Sequence, residues 1–194
     1  MAETVESRDL STGGHIKRTS DVVKIFANKL RESDLGFEDK FLDYVIKSAP
    51  MHDLGKLGID DAILRKKTGL TDEDFAAMKK HPEIGFKMVG KVLADVEEAE
   101  FIKVAENVAH YHHEKMDGTG YPAGLKGEEI PVEARIMAIA DVYDALVSKR
   151  CYKAALSSDE AFDIIKKGMG THFDEKLANV FLLCKSDLEN YYNN

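Results

Sequence analysis

Hydrophobic residues recur at three- and four-residue steps along most of this chain, the spacing that places them on one face of an α-helix. Between residues 15 and 30 the apolar positions include Ile16, Val22, Val23, Ile25, Phe26 and Leu30. The same spacing predicts further helices over residues 38–49, 71–80, 82–93, 96–113, 132–147, 157–167 and 174–188. No segment has the two-residue alternation of a β-strand, so the pattern predicts an all-α bundle.

Polar and glycine-rich segments mark where these helices begin and end. Thr71-Asp72-Glu73-Asp74 and Ser157-Ser158-Asp159-Glu160 resemble capping boxes, and Pro131 suits the start of the helix that follows it. Residues 117–131 contain four of the fourteen glycines and are predicted to form a loop. Because the 194 residues contain four prolines and no internal repeat, they are predicted to form one continuous domain.

The amino-terminal residues have a different pattern, because residues 2–10 resemble the last part of a helix. We therefore expect residues 1–11 to be the end of a linker helix and residues 12–194 to be the folded domain. On this interpretation the chain is the output domain of a longer protein.

Composition and charge narrow the classes of function. The net charge of −8, from 27 basic and 35 acidic residues, argues against a duplex nucleic-acid binder with a broad basic surface. It is compatible with a small phosphorylated ligand held by a few cations. Cys151 and Cys184 are too few for a disulfide framework and are expected to be reduced thiols. With no apolar run near the ~18 residues of a membrane span and no secretory signal, the chain is predicted to be soluble and cytoplasmic.

Histidines and aspartates are paired at helix ends, which points to metal chemistry. His52-Asp53 follows a predicted helix, and His112-His113 ends another just before the glycine-rich loop. His15 opens a helix after two glycines, and His81 precedes Pro82. Imidazole and carboxylate are the ligands of hydrolytic transition-metal sites, so these residues are candidate metal ligands.

Two aspartates of the helix over residues 132–147 extend this set. Asp141 lies in the apolar run Ile139-Ala140-Asp141-Val142, where a carboxylate is costly unless it is paired or bound to a metal. Asp144 lies one helical turn later and faces the same way. In a site with two metal ions, Asp53 is the natural bridging carboxylate.

These runs resemble the motifs of the HD-GYP family, in the same order and over nearly the whole chain. The resemblance implies an HD-type helical bundle with a dinuclear metal site, commonly of iron or manganese. The matching runs are Thr12-Gly13-Gly14-His15, His52-Asp53-Leu54-Gly55-Lys56, His81-Pro82-Glu83-Ile84-Gly85, His112 to Pro122, Ile139 to Leu146, and Gly170-Thr171-His172-Phe173-Asp174. The implied metal ligands are His15, His52, Asp53, His81, His112, His113 and Asp141.

One departure from the family pattern concerns the number of metal ions. Family members with a third ion carry a glutamate four residues before the histidine that matches His15, and this chain has Ser11 there. A neutral hydroxyl is a poor substitute for a carboxylate on a hard cation. We therefore expect two divalent ions.

Several further residues are candidates for contact with a phosphorylated ligand. Lys56 lies three residues after Asp53 and is expected to contact a phosphoryl oxygen, and Tyr121 offers its ring and hydroxyl to the ligand. Arg150 could hold a phosphate through two hydrogen bonds and Lys153 as a point charge, although the family usually has proline where this chain has Cys151.

The resemblance implies a cytoplasmic phosphodiesterase that hydrolyses cyclic di-GMP to pGpG, with further cleavage to GMP left open. Asp53 and Lys56 are the expected catalytic residues, together with Asp144, which could hydrogen-bond the attacking water or the departing group. Two alternatives remain: a non-catalytic module that binds cyclic di-GMP or a GGDEF-type cyclase domain, and a hydrolase of another cyclic dinucleotide. A homodimer formed through the amino-terminal helix is a further possibility.

Overall fold

The computed structural model describes residues 14–66, 69–148 and 155–193. Within these ranges it is helical, and its only β-type pairing is an isolated bridge between Met169 and Phe173, so the predicted all-α class is confirmed. The α-helices are α1 (His15–Arg31), α2 (Asp39–Ser48), α3 (Asp61–Leu64), α4 (Asp72–Met78), α5 (His81–Val92), α6 (Ala99–Tyr111), α7 (Val132–Val147), α8 (Ser158–Lys167), α9 (Glu175–Leu182) and α10 (Lys185–Asn193). The 3-10 turns are Ala49–Met51, Leu54–Gly58 and Gly127–Glu129.

Helix starts follow the sequence signals closely. The Thr71 and Ser157 side chains each accept a hydrogen bond from the third backbone N–H of the following helix, and Asp74 and Glu160 complete these capping boxes. Pro131 is the N-cap residue of α7. These local contacts satisfy backbone groups that a helix end leaves unpaired.

The carboxyl-terminal region differs from the prediction of one helix over residues 174–188. The backbone N–H groups of Leu183 and Cys184 donate to carbonyls only three residues back, at Val180 and Phe181. This tighter turn ends α9 and redirects the chain, so that α10 packs against α1 and α8. Apolar spacing alone did not reveal the break, because spacing reports which face is buried and not where the backbone turns.

The apolar interior consists of two clusters. The larger one is built from α1, α2, α6, α7, α8 and α9, with Phe26, Tyr143 and Phe181 among its fully buried rings. The smaller one includes Leu54, which directly follows Asp53, and Ile16, which directly follows His15. Apolar packing therefore fixes the backbone on both sides of the candidate site.

A close contact between two glycines sets the position of α5. A side chain at Gly55 would place its Cβ 1.9 Å from the His81 carbonyl oxygen and 2.4 Å from the Gly85 nitrogen. Only glycine allows the 3-10 turn after Asp53 to lie against the start of α5 in this way. The contact brings His81 next to Asp53.

No helix in the described ranges combines the length and hydrophobicity needed to cross a bilayer. Residues 1–11, predicted to be the end of a linker helix, lie outside the described residues. The division into a linker and a domain over residues 12–194 therefore stays a prediction.

Candidate metal centre

The structure brings the seven predicted metal ligands together from five parts of the fold. They come from the start of α1, the junction of two 3-10 turns, the start of α5, the residues just after α6, and the middle of α7. In that order they are His15, His52 and Asp53, His81, His112 and His113, and Asp141.

Asp53 lies at the centre of the cluster and is 4% exposed. Its Oδ1 lies 3.4 Å from His81 Nε2 and 3.9 Å from His112 Nε2. Its Oδ2 lies 3.4 Å from His52 Nε2 and 3.8 Å from His15 Nε2. The two oxygens of one carboxylate therefore face two different sets of ring nitrogens.

Asp53 is shared by two groups of side chains whose ligand atoms all lie within 4.8 Å of one another. Asp141 lies beside the group that contains His15, because its Oδ1 is 3.1 Å from His15 Nε2. The groups are Asp53 with His81, His112 and His113, and Asp53 with His15 and His52.

Backbone carbonyls fix the orientation of three of the imidazoles. A carbonyl only accepts hydrogen bonds, so a ring nitrogen bonded to it carries the proton, and the other nitrogen of a neutral ring then carries a free lone pair. The hydrogen bonds run from His52 Nδ1 to Ala49 O at 2.8 Å, from His81 Nδ1 to Met78 O at 2.8 Å, and from His112 Nδ1 to Val108 O at 2.9 Å.

These lone pairs converge on a carboxylate, which fits divalent metal ions. The Nε2 atoms of His81 and His112 lie 3.4 Å apart, and the buried Nε2 of His52 has no hydrogen-bond partner among the described residues. Burial lowers the pKa of His81, lowers that of His112 further, and lowers that of His113 to about 3, so these rings are neutral. Neutral imidazoles facing an aspartate leave a place for a cation between them.

The side of the cluster around His15 also favours positive charge. Burial disfavours a charged imidazole here, yet hydrogen bonds to Asp141 and Asp144 raise the pKa of His15 to about 9. Burial likewise opposes ionisation of Asp141, but its hydrogen bond to His15 holds its pKa far below the usual range. These carboxylates therefore stay ionised beside His15, and a divalent cation bound here would displace the proton from His15 Nε2.

Lys56 lies against the same aspartate. Its Nζ is 2.7 Å from Asp53 Oδ2, and its side chain is 16% exposed. Burial alone would raise the pKa of Asp53, but the nearby charge of Lys56 helps to hold that pKa well below its usual range. Lys56 thus places a positive charge at the edge of the cluster, on the Oδ2 side.

Asp144 is buried behind His15, and its two oxygens accept five hydrogen bonds. His15 Nδ1 donates to Oδ2 at 2.6 Å, Arg18 donates to both oxygens, and Ser148 Oγ and Tyr192 OH donate to Oδ1 at 2.9 and 2.6 Å. This arrangement favours a role in orienting His15 over direct contact with a water or a leaving group. The sequence could have indicated the contribution of Arg18 to this site, because Arg18 lies one helical turn after His15. Nothing in the sequence indicated the contact from Tyr192.

Removal of the Tyr192 hydroxyl is expected to weaken metal binding. Tyr192→Phe removes a donor to Asp144 and loosens the support of His15, so we expect metal affinity to fall by about tenfold. The measurement is a competition titration against a chelator. The matched control is Tyr191→Phe, whose hydroxyl donates to Asp21 at 2.7 Å instead. Equal metal affinity in the two variants would contradict the positioning role.

Tyr121 lies next to the histidine cluster. Its ring stacks on that of His113 with centroids 4.7 Å apart, and its backbone N–H donates to the His113 carbonyl at 3.2 Å. Burial and the negative charges of Asp141 and Asp53 raise the pKa of Tyr121, so its hydroxyl stays protonated and can donate a hydrogen bond.

Glu114 holds the loop that carries Tyr121. Its carboxylate, which is almost fully buried, accepts backbone N–H groups from Ala123 at 2.7 Å, Gly124 at 3.1 Å and Leu125 at 3.0 Å. A Cβ at Gly120 would lie 2.5 Å from Glu114 Cα, so the loop closes onto this residue only with glycine. The hydrogen bonds therefore support a role for Glu114 in bracing the loop.

Neutralising Glu114 is expected to loosen the loop. Glu114→Gln removes charge-assisted hydrogen bonds and turns an amide group toward backbone donors, so the free energy of unfolding should fall by about 2–3 kcal/mol. Chemical denaturation measures this, and hydrogen exchange should show faster exchange at residues 123–125. Glu128→Gln, an exposed change in the same loop, serves as the control. Unchanged stability and exchange in Glu114→Gln would contradict the bracing role.

Two of the predicted substrate contacts, Arg150 and Lys153, lie outside the described residues, as do Ser11 and Cys151. Their predicted contributions to ligand binding and to the number of metal ions stay predictions.

A helical bundle with a central histidine–aspartate cluster defines the class of this chain as a helical metal-binding domain. A family model described as "HD domain" matches residues 4–177. The chain belongs to the HD domain family, and the resemblance to HD-GYP proteins is confirmed. In fold it is similar to a HDG"Y"P protein from Bdellovibrio bacteriovorus, with a TM-score of 0.64, 21% identity, and coverage of 90% of this chain and 51% of that one.

The chain is also similar in sequence to curated relatives, and at higher identity than to the solved structure. The chain is 45% identical to a cyclic di-GMP phosphodiesterase of Vibrio cholerae, over 94% of this chain and 38% of that protein. It is 38% identical to the cyclic di-GMP phosphodiesterase response regulator RpfG of Xanthomonas campestris, over 97% of this chain and 47% of the relative. It is 36% identical to a 3'3'-cGAMP-specific phosphodiesterase of Vibrio cholerae, over 94% of this chain and 33% of that relative. The chain thus spans about half or less of the length of these relatives.

Proposed function

We propose that this chain is a metal-dependent phosphodiesterase that hydrolyses cyclic di-GMP to linear pGpG. The observation that carries the proposal is the arrangement around Asp53, whose two oxygens face separate sets of histidine nitrogens while Lys56 lies 2.7 Å from Oδ2. Relatives at 45% and 38% identity are named as cyclic di-GMP phosphodiesterases, which supports this substrate.

In this proposal the residues have distinct roles. One divalent ion would be held by His81, His112 and His113, and a second by His15, His52 and Asp141. Asp53 would bridge the two ions. When bound, such ions polarise a phosphoryl oxygen and lower the pKa of an attacking water. Lys56 would stabilise the negative charge that develops on the phosphoryl oxygens, and Asp144 would keep His15 oriented. Tyr121, Arg150 and Lys153 would contact the substrate.

The number and identity of the ions are part of the proposal. We propose two ions per chain, of iron or manganese, because the two ligand groups share one carboxylate and Ser11 replaces the glutamate of family members with three ions. Elemental analysis of protein at full activity tests this. Two ions per chain is the expected result, and three would overturn the dinuclear assignment.

A product assay tests the substrate. The chain is purified without oxygen and reconstituted separately with iron(II) and manganese(II). It is then incubated with cyclic di-GMP or 3'3'-cGAMP, and pGpG and GMP are followed by chromatography. We expect pGpG from cyclic di-GMP, formed faster than product from 3'3'-cGAMP. The second substrate is the main competitor, because three relatives at 28–36% identity are named as specific for it. Tight binding of cyclic di-GMP without turnover would favour the non-catalytic module instead.

The proposed setting is bacterial second-messenger signalling in the cytoplasm, with GGDEF-type cyclase domains as candidate partners and a homodimer as a candidate assembly. Light scattering after size-exclusion chromatography tests the assembly, since a mass of 21.6 kDa would correspond to a monomer and exclude the dimer at that concentration.

A further inference from the structure

The helix α4, between the His52-Asp53 pair and His81, contributes no buried residue to the protein. Phe75, in this helix, is 47% exposed. An exposed aromatic ring beside a candidate active site offers a large apolar surface that a ligand could cover. The capping box at Thr71 and an ion pair between Lys66 and Asp74 hold the helix in place.

Phe75 is connected to the candidate site through a short series of contacts. Lys79 Nζ lies 4.7 Å from the centroid of the Phe75 ring and 5.5 Å from that of the Tyr121 ring. Tyr121 in turn stacks on His113. An exposed aromatic ring and an exposed lysine therefore lie beside the tyrosine that borders the histidine cluster, on a protein whose net charge is −8.

An aromatic ring with an adjacent cation suits a nucleotide. Nucleobases stack on aromatic side chains, and a neighbouring lysine attracts the phosphate that each nucleotide carries. A partner protein that docks through apolar contacts would gain little from a lysine held over the exposed ring. The combination of ring, cation and continuity with the candidate site favours a nucleotide as the occupant.

We propose that Phe75 and Lys79 form a subsite for one guanine base of cyclic di-GMP and its phosphate, with Tyr121 forming the side of the subsite next to the metal centre. The inference rests on the proposed function and adds the residues that bind the part of the substrate remote from the scissile bond. Phe75 supplies the stacking surface, and Lys79 supplies a positive charge at the subsite. Lys56 does not supply that charge, because it lies on the Asp53 side of the cluster.

The absence of tryptophan from the sequence permits a direct binding test. Phe75→Trp introduces a single fluorescent reporter, and the matched control Phe86→Trp places one at another exposed ring, which stacks on His110. Metal-loaded protein is mixed with cyclic di-GMP in a stopped-flow instrument. We expect rapid quenching of the emission in Phe75→Trp, before turnover, and none in Phe86→Trp. No quenching in Phe75→Trp would overturn the subsite.

Steady-state kinetics supply the second readout. Phe75→Ala is expected to raise the KM for cyclic di-GMP by about tenfold, as loss of a base-stacking ring does, with a smaller change in kcat. Lys79→Met should also raise KM, and Lys79→Arg should restore it. Phe86→Ala should match the unmodified chain. A KM within twofold of the unmodified value in Phe75→Ala would overturn the subsite while leaving the proposed function intact.

The two proposals fail in distinguishable ways. If the unmodified chain hydrolyses cyclic di-GMP but neither readout responds at Phe75, the subsite is wrong and the function stands. If the unmodified chain does not hydrolyse cyclic di-GMP, the proposed function fails, and quenching in Phe75→Trp alone then decides whether the base binds at this ring. Equal quenching in Phe75→Trp and Phe86→Trp would indicate nonspecific contact and would also overturn the subsite.

Discussion

Asp53→Ala is expected to abolish metal binding and phosphodiester hydrolysis together. Asp53 is the only residue shared by both ligand groups among the described residues, so its loss affects both candidate metal positions. The remaining imidazole nitrogens would face one another without the carboxylate that balances a divalent charge. We expect catalytic efficiency to fall by at least about a thousandfold, a loss typical of an essential electrostatic group.

Elemental analysis and the product assay measure the two effects on the same samples. Asp95→Ala, which removes an exposed aspartate, is the control and should keep both metal and activity. Circular dichroism checks that Asp53→Ala is folded. Normal hydrolysis of cyclic di-GMP by Asp53→Ala would show that the site assignment is wrong.

Lys56→Met is expected to separate metal binding from turnover. Lys56 contacts Asp53 Oδ2 but carries a positive charge, so it cannot act as a metal ligand alongside the histidines. Its removal should leave the metal content unchanged. We expect kcat to fall by roughly two to three orders of magnitude, because a positive charge placed to stabilise the developing phosphoryl charge is lost.

Lys56→Arg retains the charge and should recover part of the activity, although its planar group differs in shape from an ammonium. Lys91→Met, which changes an exposed lysine of α5, is the control. If Lys56→Met kept normal turnover, Lys56 would have no catalytic role. If it lost its metal, Lys56 would instead be needed to assemble the site.

Most residues of the candidate metal centre could be recognised in the sequence because they lie next to each other or at helix ends. His52 and Asp53 are adjacent, as are His112 and His113, and Asp141 was recognisable as a carboxylate in an apolar run. Such local signals require no knowledge of tertiary structure. The family resemblance then supplied the grouping of these segments, and the structure brings them into one cluster.

Other features depend on contacts between distant parts of the chain and left no local signal. Tyr192 reaches Asp144 across 48 residues, and the close approach of Gly55 to Gly85 depends on how α5 packs. The role of Asp144 was predicted from helical spacing, which indicates the direction a side chain faces but not how many donors surround it. Its five hydrogen bonds became evident only from the packing of α1, α7 and α10.

The most direct test of the central claim is a titration of metal-free protein with iron(II) or manganese(II) while the formation of pGpG from cyclic di-GMP is followed. We expect no product without metal, a rate that rises with added metal, and a plateau near two ions per chain. The same titration of Asp53→Ala should yield no product. Hydrolysis in the absence of metal, or an unchanged rate in Asp53→Ala, would show that the histidine–aspartate cluster is not a catalytic metal site.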